Sequence, residues 1–213
     1  MGNRIQTVIF DLDGTLSDSS ILTMAAFNNF LPSFGLPLPT IEAVRRATGN
    51  PNPEFYYILF PDIERHIVDK AGSLIEQEEL RLLPSLGGKL LFNNCLELLK
   101  RLKENNIRLC IASTGDEGHV FSVMNETGIT GFFETILCGH PDKTETIRKL
   151  ISTGNKSEYI MVGDMKKDHE GAAANGILSV GACYGYCRRE LTKFDLYIDS
   201  PLDLLGIIKL QKE

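Results

Sequence analysis

The sequence predicts a doubly wound α/β parallel sheet carrying an inserted helical cap, and three observations lead there. Short apolar runs recur along the chain and end in small or acidic residues. From about residue 90 onward these runs alternate with segments of helical periodicity. Between residues 17 and 88, by contrast, helical stretches follow one another and no convincing strand intervenes.

The first run, Thr7–Phe10, is too short for a helix and is nearly all apolar. Such runs fit strands buried on both faces of a parallel sheet. Three helical stretches follow, at Ile21–Phe34, Thr40–Thr48 and Ile63–Leu83, broken by the joint Gly49-Asn50-Pro51-Asn52-Pro53. About 70 residues is too many for a simple crossover. Residues 17–88 are therefore expected to form a cap over the sheet's carboxyl edge, with 1–16 and 89–213 as the core domain. In Cys95–Asn105 apolar residues recur at helical spacing against a polar far side, and Asn106 is the expected stop. Strand Arg108–Ala112, helix Val120–Thr127 and a weaker strand at Phe133–Cys138 come next. Helices Lys143–Thr153 and Asp168–Asn175, closely followed by Gly154 and Gly176, enclose strand Tyr159–Val162. Leu178–Gly181 and a weaker Leu196–Ile198 complete the sheet.

At 213 residues the chain can bury a sizeable core. Its 43% hydrophobic and 23% charged residues are ordinary for a globular protein. The net charge of −6 argues against nucleic acid and against an anionic membrane surface as partners. No window reaches the ~18–20 apolar residues that span a bilayer. Met1 is not followed by an apolar signal region. Cys95, Cys110, Cys138, Cys183 and Cys187 are odd in number, form no C-x-x-C pair, and read as reduced thiols of a cytosolic protein. A cytoplasmic protein is expected, with its oligomeric state left open.

Ligands of open α/β sheets bind beyond the carboxyl ends of the strands. Asp11 and Asp13 follow the first strand, Ser113 and Thr114 follow the second long one, and Asp164 follows Tyr159–Val162, with Asp168 four residues on. Lys143 opens a helix. The start Asp11-Leu12-Asp13-Gly14 superficially resembles a calcium loop, but its twelfth position is Leu22 and a strand precedes it, so that reading fails. Carboxylates gathered at one edge are costly without a cation, and oxygen-only ligands favour magnesium. His119, His140 and His169 read as surface or capping residues, and Lys166 and Lys167 as solvated loop charges. Tyr184-Gly185-Tyr186 reads equally as a sheet-edge turn or as part of a site's mouth.

Phe10-Asp11-Leu12-Asp13-Gly14-Thr15-Leu16 resembles the first motif of the haloacid dehalogenase-like hydrolases. Ser113 stands at the second motif, Lys143 at the third, and Val162-Gly163-Asp164-Met165-Lys166-Lys167-Asp168 at the fourth. The resemblance runs from residue 5 to about 205 and is to the branch with a helical cap, similar to phosphoglycolate phosphatases. One departure is Phe92-Asn93-Asn94, where many relatives carry tyrosine-proline-glycine.

The resemblance implies a magnesium-dependent phosphatase acting on a small phosphorylated metabolite through an aspartyl phosphate. Asp11 would be the nucleophile and Asp13 the general acid and base. Ser113 would bind a phosphoryl oxygen, with Thr114 able to take its place, and Lys143 would supply positive charge. Magnesium would be held by Asp11, the carbonyl of Asp13 and Asp164. Asp168 would either join them or orient Lys143, and Thr15 would either close the motif turn or bind substrate. Family members that displace halide lack an acid at the position of Asp13, which disfavours a dehalogenase. A phosphoglucomutase-type phosphotransferase would keep every residue named, and a non-catalytic binding module on the same fold is the remaining alternative.

Overall fold

The computed structural model describes residues 5–151, 155–189 and 193–210. Its strands are β1 (Thr7–Phe10), β2 (Arg108–Ala112), β3 (Thr135–Leu137), β4 (Tyr159–Gly163), β5 (Leu178–Ala182) and β6 (Leu196–Ile198). They form one sheet in the order β3-β2-β1-β4-β5-β6, with every pair parallel. The fold class is the one the sequence predicts. Both weaker strands are present, β3 shortened to three residues.

The chain leaves β1, builds outward through β2 to β3, then returns to lay β4 on the other side of β1. Strand order thus reverses beside β1, and that reversal opens a crevice at the carboxyl edge. Phe10 is level with Ile111 and with Val162, so the residues after these three strands emerge side by side.

Five helices cover the sheet: α5 (Cys95–Glu104), α6 (Glu117–Glu126), α7 (Lys143–Leu150), α8 (Lys166–Asn175) and α9 (Asp203–Leu210) in the numbering that follows four earlier ones. The pleat sends Val8 and Phe10 into a core with Leu98, Val123 and Leu204, while Ile9 joins Ile147, Met161 and Ala172 on the other face. Both faces are buried, which is why β1 carries no polar alternation.

The four earlier helices, α1 (Ser20–Phe30), α2 (Ile41–Ala47), α3 (Glu54–Leu59) and α4 (Arg65–Leu86), pack around a core of their own. Phe27, Leu31, Tyr56, Phe60, Val68 and Ile75 form it. Leu22 and Leu83 belong instead to the sheet's core, so α1 and α4 root the helical layer in the sheet.

Several boundaries differ from the sequence expectation. The helix expected over Ile21–Phe34 ends at Phe30, and Leu31–Phe34 tightens into a 3₁₀ turn closed by the left-handed Gly35. Helix α6 starts at Glu117, ahead of Val120, because the Asp116 side chain accepts from His119 N at 2.9 Å. Helix α4 begins at Arg65 and continues through Pro84 to Leu86. The helix expected to Thr153 is described as far as Leu150; Thr153 and Gly154 lie outside the described residues. Asn94 takes the left-handed conformation (φ 69°), which Asn tolerates better than other non-glycine residues, so helix α5 still begins at Cys95.

Candidate active site

Asp11 continues the central strand, its backbone N–H bonded to Val162 O at 2.9 Å. Its carboxylate Oδ1 lies 2.9 Å from Lys143 Nζ. That ammonium also donates to Ala112 O at 2.6 Å and sits 3.0 Å from Asp168 Oδ1, an ion pair outside hydrogen-bond geometry. One buried lysine therefore ties together the ends of β1 and β2 and the start of α8. Burial alone would lower its pKa, but Asp11 and then Asp168 raise it, so it stays charged.

Asp168 meets Lys143, as one of the two sequence alternatives expects, and also caps a helix. Its Oδ1 pairs with Lys143, while its Oδ2 accepts from Met165 N at 2.9 Å and Asp164 N at 3.2 Å, capping α8. It also offers an oxygen to a cluster with Asp11 and Asp164 in which all ligand atoms lie within 4.8 Å of one another.

Asp164 is 1% exposed. Its Oδ1 accepts from Thr15 Oγ1 at 2.9 Å, and its Oδ2 is buried with no hydrogen-bond partner among the described residues. An unpartnered buried carboxylate oxygen beside two further carboxylates is costly unless a cation completes it. The donor set is all oxygen, so these residues fit a hard divalent cation such as magnesium. The charge crowding is visible in the acids themselves. Burial, Asp168 and Asp13 hold the Asp11 carboxyl at about 7 despite Lys143, and burial with Asp11 and Asp168 pushes Asp164 well up.

Asp13 points elsewhere. His119 Nε2 lies 3.0 and 3.2 Å from its two oxygens. Burial would raise the Asp13 pKa, but His119 outweighs it and the net shift is downward. Burial would likewise lower His119, yet Asp13, Glu79 and Asp116 lift the imidazole to about 9. His119 was expected to be a surface or capping residue; that expectation is corrected, because the first turn of α6 carries it to the strand edge. From sequence this helix is expected to begin at Val120, which leaves His119 outside it, whereas the Asp116 cap starts α6 at Glu117.

Other expected residues take definite places. Ser113 is buried, lines the cleft, and its Oγ accepts from Gly115 N at 3.0 Å. Thr114 lines the cleft and its hydroxyl donates to Gly49 O at 3.2 Å. Thr15 is fully buried, and its hydroxyl is committed to Asp164; substrate contact is corrected to positioning of that carboxylate. Lys167, expected to be a solvated loop charge, instead donates to the same Gly49 carbonyl at 2.9 Å. Lys166 is exposed and pairs with Glu170 at 2.9 Å.

The turn itself is held from below. Gly14 has φ +80°, and a Cβ there would come 2.5 Å from both Asp164 Oδ2 and Tyr186 Cδ2. Only glycine lets the backbone pass. Tyr186 donates its hydroxyl to Asp18 at 2.8 Å and accepts from Ser20 N at 2.9 Å, where the chain leaves for α1. Arg45 of α2 reaches the same Asp18 at 2.7 Å, its guanidinium 5.3 Å from the Tyr186 ring centre. The Tyr184-Gly185-Tyr186 turn therefore braces both the motif and the linker, an arrangement that alternation and helical period do not encode.

Above these residues lies a cavity of about 370 Å³. The sheet edge supplies Asp11, Asp13, Ser113 and Thr114, and the helical layer supplies Thr23, Tyr56, Glu76 and Glu79. Among the described residues no helix is long and apolar enough to cross a membrane.

Comparison with known proteins adds a family. Residues 8–182 match the haloacid dehalogenase-like hydrolase model. The chain is 28% identical over 204 residues to the tyrosine-protein kinase PtkA of Mycobacterium tuberculosis, a match covering 89% of this chain and 66% of the kinase's length, just under two thirds. It is 25% identical to the phosphoglycolate phosphatase of Synechococcus elongatus over 96% of this chain and 97% of that one. A predicted phosphoglycolate phosphatase from Haemophilus somnus shares the fold with a TM-score of 0.83 at 21% identity, covering 96% of this chain and 98% of its own.

Proposed function

The chain belongs to the haloacid dehalogenase-like hydrolase family, and from that premise we propose that it is a magnesium-dependent phosphatase of small phosphomonoesters. The observation that carries this reading is the pair Asp11 and Asp13, two residues apart and held by different partners. Asp11 rests against Lys143, and Asp13 against His119.

In this reading Asp11 Oδ attacks phosphorus while the ester oxygen leaves, forming an aspartyl phosphate. The leaving oxygen takes its proton from Asp13, and the His119 Nε2–H···Asp13 contact keeps that proton in reserve. Asp13 then removes a proton from water as the water oxygen attacks the aspartyl phosphate, which releases inorganic phosphate and restores Asp11. Lys143 holds Asp11 in line and, with the Ser113 hydroxyl, faces the phosphoryl oxygens. Magnesium bound by Asp11, the Asp13 carbonyl, Asp164 and Asp168 would neutralise phosphoryl charge as it moves. Residues 17–88 act as the cap that excludes water during transfer. The phosphatases among the relatives support hydrolysis as the outcome.

Brief mixing with a phosphomonoester, acid quenching and peptide mass spectrometry are expected to find one phosphate on Asp11. Turnover with no such label would overturn the covalent route. The 28% identity to a tyrosine-protein kinase favours a second reading, phosphoryl transfer to an acceptor other than water. Equal release of alcohol and inorganic phosphate supports the phosphatase; a shortfall of phosphate supports the transferase.

A further inference from the structure

The cavity has two ends of opposite character. At the sheet edge, Asp11, Asp13 and Ser113 line it, and there the proposed cation would receive the phosphoryl group. The remaining space, where the alcohol half of a substrate must lie, is bordered by Glu76, Glu79 and Asp116, and among the described residues no lysine or arginine lines it. The one imidazole there, His119, is committed to Asp13.

Glu79 is held at one oxygen only: Thr23 Oγ1 donates to its Oε1 at 2.5 Å. No other hydrogen bond reaches this carboxylate among the described residues, and it is half-buried where it lines the cavity. Glu76, three residues earlier on the same face of α4, accepts from Asn52 Nδ2 at 2.7 Å. Burial raises both carboxyls: Asp116 adds to it for Glu76, and for Glu79 it outweighs the opposing pull of His119 and Thr23. A recess walled by one sign of charge focuses that field on whatever enters. A carboxylate placed here meets like charges, and the one cation lining the recess, His119, is already held by Asp13. An ammonium meets the partners that these acids lack.

Resting on the phosphatase reading above, we propose that the substrate is a phosphomonoester whose alcohol half carries an ammonium group. Glu79 and Glu76 select it, and they exclude carboxylate-bearing esters of the phosphoglycolate kind. The chain then differs in substrate from the relatives named for phosphoglycolate, although it shares their fold.

Three two-carbon esters of nearly equal size test this: 2-aminoethyl, 2-hydroxyethyl and carboxymethyl phosphate. With magnesium at neutral pH, kcat/KM is expected to fall in that order, the extremes differing by at least about tenfold. Glu79→Gln and, separately, the more accessible Glu76→Gln are expected to compress the ratio of extremes, and Glu79→Lys to invert it. Each ratio is internal to one variant, so a partly unfolded preparation does not distort it. A wild-type enzyme that prefers or fails to distinguish the carboxymethyl ester would overturn the proposal, as would a ratio that none of the three variants moves. p-Nitrophenyl phosphate separates the two readings: if wild type hydrolyses neither it nor the three esters, the phosphatase reading fails. Calorimetric Kd values of the three esters on Asp11→Asn protein then decide the present proposal, with the same order expected and a flat or reversed order overturning it.

Discussion

Asp11 and Asp13 divide the chemistry because the fold gives them separate neighbours. Asp11→Asn is expected to abolish turnover on every substrate. Asp13→Asn should behave differently with p-nitrophenyl phosphate, whose leaving group departs with little help from a proton. A burst of at most about one nitrophenolate per enzyme should precede a steady rate about 10²–10⁴-fold below wild type. With an alkyl phosphate neither burst nor turnover is expected, and stopped-flow absorbance with phosphate assay reads both. Gly185 makes a second residue-scale prediction. A Cβ there would overlap the carbonyl oxygen of Gly14, so Gly185→Ala should lower stability by about 1–3 kcal/mol, read as a fall in Tm. Asp11 and Asp164 could be read from sequence because each follows an apolar strand run directly, and Asp13 and Asp168 lie two and four residues further on. His119 and the Tyr186–Asp18–Arg45 contacts could not, since their partners lie 27 to 168 residues away.

Among the elements, the sheet was legible and the helix ends were not. Strands buried on both faces announce themselves as unbroken apolar runs, and β1 and β2 begin and end where those runs do. Helix α3 escaped because its six residues span fewer than two turns, too short for a period to register. The start of α6 was missed because it is set by the Asp116 cap, not by an apolar residue. The roots of the helical layer suggest how to remove it. Excising residues 24–81 with a short Gly/Ser joint keeps Leu22 and Leu83 in the sheet's core. The shortened protein is expected to retain weak nitrophenyl phosphatase activity and to lose its preference among natural-type esters. An unchanged preference in that kinetic panel would place selectivity in the sheet domain.

At the scale of the whole molecule, the reversal of strand order beside β1 gathers acids from β1, β4 and α8 into one pocket of charge. Through the unpartnered Asp164 oxygen, the proposed cation would act on stability as well as on rate. Chelation is expected to abolish activity and lower Tm, magnesium to restore both, and calcium to restore Tm while supporting little turnover, because its longer, looser coordination misplaces Asp11. Activity and melting curves in matched buffers check this. The single carbonyl of Gly49 has a consequence of its own. It accepts from Thr114 beyond β2 and from Lys167 beyond β4, one donor from each side of the central strand. An acceptor shared in this way works as a coincidence detector. Losing either donor would remove one of the two bonds that hold this carbonyl of the helical layer to the sheet edge, before any reactive group was disturbed.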